Sequence, residues 1–198
     1  MVAVAERKPA PLSVTAFRAW VESRPSEEHW ELINGVPMMM APPTRDHQRI
    51  ASNLERLLND ALERHDAARA AYQRVGLNLA AIVENYDPEP DVVVIDVEAG
   101  PDQRYADRFY LAAEIVSDSD LALVEGKVEI YRRHPNCTCT LVIRQDRCDV
   151  RIDLRTATRW RKRTLTTPDD EVVLTDFGLQ CRVADLYRGT SIRTESRR

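Results

Sequence analysis

Two acidic residues stand in apolar stretches of the chain, where a carboxylate is costly to bury. Asp91 follows Pro90 and precedes the run Val-Val-Val-Ile, and Glu114 lies within Leu-Ala-Ala-Glu-Ile-Val. An unpaired buried carboxylate costs several kcal/mol, so each acid needs a partner. A divalent metal ion is one such partner, because magnesium prefers oxygen ligands and needs only one or two carboxylates. Asp91 and Glu114 are therefore candidate ligands for magnesium or manganese.

Lys127 is the third candidate, since lysine is rare in this chain. Among 28 basic residues only Lys8, Lys127 and Lys162 are lysine. A metal ion polarises a phosphate and lowers the pKa of a bound water, while a nearby ammonium stabilises the charge of the transition state. The three residues together predict hydrolysis of phosphodiester bonds. Residue chemistry alone leaves an alternative open, in which the two acids are structural and the lysine is a solvated helix residue.

The elements before Asp91 are predicted from capping residues and apolar spacing. Ser13 precedes a short amphipathic helix, and the Asn-Gly dipeptide at 34–35 predicts a tight hairpin with Glu31 on its first strand. Thr44 precedes a long helix whose apolar residues form one stripe. Residues 73–83 alternate loosely, which predicts a strand.

The elements that carry the other candidates follow in the order strand, strand, helix. Asp91 begins a strand of β-branched residues, which is typical of a sheet that is buried on both faces, and Glu114 lies in the next strand. Residues 117–120 begin a helix that carries Lys127 and Tyr131. The last third of the chain is predicted to be mostly antiparallel strands, at 138–144, 148–154 and 158–165.

Composition predicts one soluble domain. A chain of 198 residues with 43% hydrophobic residues can bury one core. We expect that domain at 13–187, with flexible ends at 1–12 and 188–198. The sequence has neither a long apolar span nor a signal peptide, which predicts a cytoplasmic protein without membrane contact. The expected fold class is α/β or α+β.

Net charge predicts how a nucleic acid could bind. The formal net charge is −4 and the pI is about 5.6, so any affinity for a polyanion must come from a local basic surface. The residues RWRKR could form one, with four cations around an indole that could stack on a base: Arg159, Trp160, Arg161, Lys162 and Arg163. The alternative is that charges on an edge strand prevent aggregation.

A zinc site is a further alternative in the last third of the chain. His134, Cys137, Cys139 and Cys148 lie close together in sequence. The cysteines share their strand faces with aliphatic residues, however, which favours small core side chains over metal ligands. A disulfide framework is not expected.

Four segments together resemble a known family. They are WELINGVPMMMAPPTRDHQRI at 30–50, EPDVVVID at 89–96, LAAEIVSDSD at 111–120 and GKVEIY at 126–131. In this order and spacing they resemble the Uma-type restriction endonuclease family of the PD-(D/E)XK nuclease superfamily. The resemblance covers residues 13–155.

The resemblance implies a fold and roles for residues. The fold would be a restriction-endonuclease-like central mixed β-sheet flanked by helices. Asp91 and Glu114 would hold the metal, and Glu31 would be the site acid supplied by the region of the first helix and hairpin. Lys127 would be the catalytic lysine, on the helix that follows the strand of Glu114. His47, in the first turn of the long helix, would contact phosphate or carry a proton. The implied substrate is DNA. The protein would form a homodimer and would use no organic cofactor.

The chain also departs from the family pattern. Many relatives have an acid at the positions of Tyr110 and Val36, and proline at that of Asp118. Val116 stands where the superfamily usually has its lysine. These departures favour the alternative of a catalytically reduced protein that keeps the fold for DNA binding or assembly.

Overall fold

A computed structural model describes residues 11–98 and 104–192. The helices and strands up to residue 77 are α1 (Val14–Val21), β1 (Trp30–Ile33), β2 (Val36–Met39), α2 (Arg45–His65), β3 (Arg69–Tyr72) and β4 (Gly76–Leu77). Those between residues 92 and 133 are β5 (Val92–Asp96), β6 (Tyr105–Ala106), β7 (Leu111–Val116) and α3 (Leu121–Arg133). The remaining elements are β8 (Cys139–Arg144), β9 (Val150–Arg155), β10 (Trp160–Leu165), β11 (Glu171–Leu174), β12 (Leu179–Arg182) and α4 (Val183–Leu186).

A six-stranded mixed sheet in the order β10-β9-β8-β7-β5-β3 organises these elements. β7 and β8 pair in parallel, and the other neighbours pair antiparallel. Helix α3 connects β7 to β8, as a parallel pair requires a crossover. The mixed α and β architecture predicted from the sequence is confirmed.

The two faces of the sheet pack against different helices. On β7, Ala113 and Ile115 belong to the core cluster that contains the apolar stripe of α2. The alternating residues Ala112 and Val116 pack instead with side chains of α3. Because side chains alternate along a strand, Glu114 points to the α3 side. This alternation decides which helix can supply its partner.

The predicted caps and hairpin turn are confirmed. The Oγ of Ser13 accepts a hydrogen bond from the amide of Ala16 (3.2 Å), and Thr44 Oγ1 accepts one from His47 N (3.2 Å). Asn34 and Gly35 both have positive φ, 52° and 79°. Such angles give the primed turn whose twist matches a two-residue hairpin.

The strand predicted at 73–83 is wrong. Only Gly76–Leu77 pairs there, with β6, and the amides of Ile82 and Val83 both donate to the carbonyl of Leu79 (2.8 Å each) to form a turn. The buried leucines that suggested alternation are covered by loop packing. The edge strand beside β5 is β3, whose central alanines have weak strand propensity, so tertiary pairing overrides the local preference.

The last third of the chain is strand-rich, as predicted. β8, β9 and β10 match the three predicted strands within two residues at each end. The sequence patterns do not predict the β11–β12 hairpin and α4 as individual elements. Across 11–98 and 104–192, no helix has the length and apolar character needed to span a bilayer. The boundaries of the domain stay predictions, and much of both expected flexible ends, 1–10 and 193–198, lies outside the described residues.

Candidate active site

Asp91 sits immediately before β5, opposite Glu114 of β7. The register pairs Val92 with Ala113, and continuing it by one residue sets the two acids side by side. Asp91 Oδ2 accepts a hydrogen bond from Ile115 N at 2.7 Å. Its Oδ1 lies 3.2 Å from Nε2 of His47, in the first turn of α2. About a fifth of the Asp91 side chain is exposed (19%), so it reaches solvent.

Glu114 is buried and held from α3. Its Oε1 accepts a hydrogen bond from the Tyr131 hydroxyl at 2.6 Å and lies 2.9 Å from Lys127 Nζ. Lys127 and Tyr131 are four residues apart and therefore lie on one face of the helix. The helix thus presents an ammonium and a hydroxyl to the same carboxylate oxygen.

Glu31 reaches the same lysine from the hairpin. Its Oε1 accepts hydrogen bonds from Lys127 Nζ at 2.8 Å and from Glu89 N at 2.7 Å. The hairpin is attached to the loop before β5 by two hydrogen bonds between the backbones of Leu32 and Asp87. Glu31 is fully buried (0% exposed), yet its Oε2 has no hydrogen-bond partner among residues 11–98 and 104–192. A buried acceptor without a donor is costly and indicates a site for another ligand.

The electrostatics of the cluster favour a further positive charge. The pKa of Glu114 is raised to about 7, chiefly by burial; Lys127 opposes this rise, and the charges of Asp91 and Glu31 add to it. Burial favours neutral Lys127, but Glu114 and Glu31 outweigh it and raise its pKa above the ordinary value. Lys127 is therefore a charged ammonium between two carboxylates, those of Glu31 and Glu114.

A hydrated divalent cation fits these residues. The donor set is carboxylate oxygen, and the partnerless Oε2 of Glu31 would gain a ligand or a bound water. In the part of the chain that the structure describes, no group of three or more His, Cys, Asp or Glu side chains forms a ready metal cage. Magnesium does not require one, because it keeps several waters and is held by one or two carboxylates.

A cleft of about 500 Å³ opens beside Asp91. His47, Gln48 and Ser52 of α2 line one side, and Gln73 and Arg74 follow β3 on the other. The cleft makes Asp91 and His47 accessible, whereas Glu114 and Lys127 lie behind them with 4% and 2% exposure. The site therefore has an open outer part and a closed inner part.

Sequence reasoning missed three residues near this site. Tyr131 lies on the predicted helix, but its sequence context indicates no role. Glu89 lies two residues before Asp91, and burial, followed by the charge of Glu31, raises its pKa to about 7. Arg74 fell within the wrongly predicted strand. The acid two residues before Asp91 was an available signal for Glu89, whereas Tyr131 is visible only from its spacing to Lys127.

The basic RWRKR segment lies away from this cluster. β10 is the edge strand three positions from β7, which is roughly 14 Å at about 4.8 Å per strand. Trp160 is half-buried and its ring carries the guanidinium groups of Arg132 and Arg155 at 5.4 and 5.1 Å. Arg161, Lys162 and Arg163 are exposed. The indole is therefore engaged within the protein while the neighbouring cations remain accessible.

The cysteines are free thiols in this structure. Cys137 and Cys139 are fully buried in the two core clusters on either side of the sheet. Burial raises the pKa of Cys137 to about 12, which disfavours a thiolate ligand. His134 Nε2 lies 3.1 Å from the carbonyl of Asp107. These contacts resemble core packing, the alternative that the sequence favoured.

This chain matches one family model and shares its fold with a solved structure. The model of the Uma2 family, described as "Putative restriction endonuclease", matches residues 14–184. A solved structure described as a "putative nuclease belonging to DUF820" from Anabaena variabilis ATCC 29413 has the same fold: the TM-score is 0.70, at 15% identity, over 89% of this chain and 98% of that one. No curated protein matches this chain. The family match spans most of the sequence, and the chain belongs to the Uma2 family of restriction-endonuclease-like proteins.

Proposed function

We propose that this protein is a metal-dependent endonuclease that hydrolyses phosphodiester bonds of DNA. The observation that carries the proposal is a cluster in which Glu31 and Glu114 both pair with Lys127, while Asp91, opposite Glu114 in the sheet register, lines an open cleft. Membership in a family of restriction-endonuclease-like proteins supports the reaction class. The fold it shares with a protein described as a nuclease is consistent with it.

Asp91 and Glu114 would hold magnesium or manganese. When bound, the metal would polarise the scissile phosphate and lower the pKa of a coordinated water. The hydrogen bond from Ile115 N keeps one oxygen of Asp91 in place. The Tyr131 hydroxyl does the same for Oε1 of Glu114, which leaves its other oxygen for the ion. Both carboxylates are thereby oriented before substrate arrives.

Lys127 would stabilise negative charge that develops on the phosphate oxygens. Its pKa is raised by Glu114 and Glu31 against the effect of burial, so it keeps its proton and is a poor general base. A fixed ammonium in a water-poor site stabilises a transition-state charge more strongly than it would in bulk water. Glu31 acts as a positioning residue, since it holds the ammonium at 2.8 Å.

His47 would assist at the outer side of the site. Its Nε2 faces Asp91 Oδ1 at 3.2 Å, and its ring lines the cleft. The Thr44 cap fixes the first turn of α2, which sets the direction of the ring. A phosphate bound at Asp91 would therefore meet a histidine that can donate a hydrogen bond or carry a proton.

A catalytically reduced binding protein is the second candidate, and one observation favours it. Lys127 is paired with two carboxylates and only 2% exposed, so the ion pairs could be the final, structural state of the cluster. In that case the acids need no metal. The two candidates differ in whether a divalent cation binds at Asp91 and Glu114 beside the lysine.

Metal binding followed by cleavage separates the candidates. Calorimetry with magnesium and manganese should give binding heat for the wild type and none for Asp91→Ala. The same samples should cut supercoiled plasmid only when Asp91 is intact. Asp96→Ala is a matched control, because Asp96 ends the same strand but pairs with Arg108 and Tyr110. A wild type that binds no metal and cuts no plasmid supports the binding protein instead.

Two finer features of the proposal concern assembly and the basic strand. A homodimer stays an expectation from the family resemblance, and sedimentation equilibrium of the full chain measures it directly. The exposed cations of β10 would add nonspecific affinity for the DNA backbone. Their separation from Asp91 would let a long duplex contact both places.

A further inference from the structure

Arg74 occupies an unusual backbone position at the rim of the cleft. It lies between β3 and β4 with a φ of 55°, in the left-handed region that side chains other than glycine and asparagine rarely adopt. A strained residue persists when surrounding structure fixes it, and such residues occur at binding sites more often than elsewhere.

The guanidinium of Arg74 is exposed and held from one side. Its Nη1 lies 3.2 Å from Nε2 of His29, in the segment before β1. Burial, followed by the charge of Arg74, lowers the pKa of His29, so its neutral ring can accept this hydrogen bond at neutral pH. Arg74 itself is solvent-exposed. One side of the guanidinium is thus tethered, and the remaining donors are accessible from the cleft.

Three other lining residues of the cleft carry neutral hydrogen-bond donors, and two are apolar. Gln48, Ser52 and Gln73 line it together with Arg74, His47 and Asp91. Such side chains commonly bind the sugar and phosphate groups of a nucleic acid. A planar guanidinium binds phosphate with two parallel hydrogen bonds. The cleft therefore combines an acid, neutral hydrogen-bond donors and a cation.

We propose that Arg74 binds the phosphate adjacent to the one cleaved at Asp91, so that this cleft holds the phosphodiester backbone in register with the reacting bond. This inference rests on the nuclease activity proposed above. It assigns Arg74 a positioning role and makes the cleft a reader of backbone rather than of base sequence. It also explains how an acidic protein could hold a polyanion beside three carboxylates.

The test compares two charge-removing substitutions in the full chain. Arg74→Gln removes the proposed contact, and Arg182→Gln removes another exposed arginine, on β12, whose side chain is 68% exposed. Binding of a fluorescein-labelled 20-base-pair duplex is followed by anisotropy in calcium, over a range of salt. Arg74→Gln should weaken binding about tenfold, the loss of one charge-assisted hydrogen-bonded contact. The slope of log K against log salt should fall by about one.

Kinetics distinguish positioning from a general structural defect. With magnesium, Arg74→Gln should raise KM for the duplex about tenfold while kcat falls much less, because the contact is made before and during reaction. Arg74→Lys should keep the salt slope and recover part of the affinity, since it retains charge but not the bidentate geometry. Arg182→Gln should match the wild type in slope, KM and kcat.

The outcomes separate this inference from the function on which it rests. If the wild type cuts the duplex but Arg74→Gln has the same slope and KM as Arg182→Gln, the role of Arg74 is wrong and the nuclease assignment stands. A fall in kcat with unchanged KM also overturns the proposed role. If the wild type neither binds nor cuts the duplex while Asp91→Ala behaves identically, the nuclease assignment itself fails.

Discussion

At the scale of single residues, Lys127 is the group on which the cluster depends. Glu31 and Glu114 both place Oε1 within 3 Å of its ammonium, at 2.8 and 2.9 Å. Removing one member of a buried ion pair leaves an uncompensated charge, which is more destabilising than the pair is stabilising. The same arrangement therefore serves folding and, in the proposed function, catalysis.

Replacing this lysine tests its structural contribution. Lys127→Met should lower the free energy of unfolding by about 3 kcal/mol, because two buried carboxylates lose their counter-charge. Lys162→Met is the matched control, since Lys162 is exposed on β10 and should change stability by less than about 0.5 kcal/mol. Urea denaturation monitored by circular dichroism measures both. Equal stability of the two variants would contradict the buried pairing.

The raised pKa of Glu114 predicts how stability depends on pH without metal. Its ordinary value is 4.5 and its folded value is about 7, so the folded state binds more protons than the unfolded state between these values. The stabilising contribution of the protonated carboxyl is complete below about pH 4.5 and is lost as pH rises through 7. Unfolding free energies in EDTA should therefore decline across that window by a few kcal/mol.

Glu114→Gln provides the comparison for this pH effect. The amide cannot ionise, so the unfolding free energy of Glu114→Gln should depend less on pH than that of the wild type between about pH 4.5 and 7. Urea titrations at half-unit intervals of pH supply the curve. Identical pH profiles for the two proteins would exclude Glu114 as the titrating group.

At the scale of elements, the hairpin and α3 each contain one glycine, and the two glycines differ in their surroundings. Gly35 makes the hairpin turn with a φ of 79°, and a Cβ there would collide with the side chain of Pro11. Gly126 lies within α3, and a Cβ there would meet no atom of the described residues within 4 Å. One glycine is required by its turn and the other is tolerated in a helix that would prefer alanine.

These two glycines give a matched prediction. Gly35→Ala should destabilise the protein by more than about 1 kcal/mol, through strain at positive φ and the clash. Gly126→Ala should stabilise it by up to about 1 kcal/mol, the usual gain for a helix interior. Thermal unfolding of both variants provides the measurement. A stabilised Gly35→Ala protein would be inconsistent with the described turn.

Local signals predicted the elements better than the contacts between them. Ser13, Thr44 and the Asn-Gly dipeptide marked their caps and turn because each acts on neighbouring backbone groups. The strand at 73–83 was wrong because burial in a loop can imitate strand alternation. The contact between Glu31 and Lys127 joins residues 96 positions apart, and no local pattern specifies such a distance.

The candidate site was predictable in its residues and less so in its geometry. The apolar surroundings of Asp91 and Glu114 made both acids conspicuous, and the rarity of lysine drew attention to Lys127. The pairing register that sets the acids opposite each other depends on sheet order, which the sequence did not provide. Tyr131, Glu89 and Arg74 are recognisable only by what lies next to them after folding.

At the scale of the whole molecule, positive charge is distributed unevenly around an acidic protein. The net charge is −4, yet Arg161, Lys162 and Arg163 are exposed together on the edge strand β10. Such a strand presents free backbone groups, and charged side chains protect it from pairing with another chain. The same cations are available to a phosphate backbone, so protection and binding are compatible roles.

Replacing these cations distinguishes the roles. A triple variant should reduce the slope of log K against log salt for duplex binding by up to about 0.9 per lost phosphate contact. It combines Arg161→Gln, Lys162→Gln and Arg163→Gln. Metal binding should not change, because β10 is three strands from β7. The control is a second triple variant that removes the same charge from other exposed positions, with Arg56→Gln, Arg64→Gln and Arg182→Gln. If both triple variants bind alike, the strand contributes only through net charge.

The long-range pairing of Glu31 with Lys127 also constrains the order of events during synthesis. The ribosome adds about 5–20 residues per second, so the 96 residues between them take roughly 5–20 seconds to appear. Until then Glu31 has no ammonium to receive it, and burying it would cost several kcal/mol. The hairpin must therefore wait in contact with water, and a nascent chain stalled before residue 127 carries all the acids of the site but cannot assemble it.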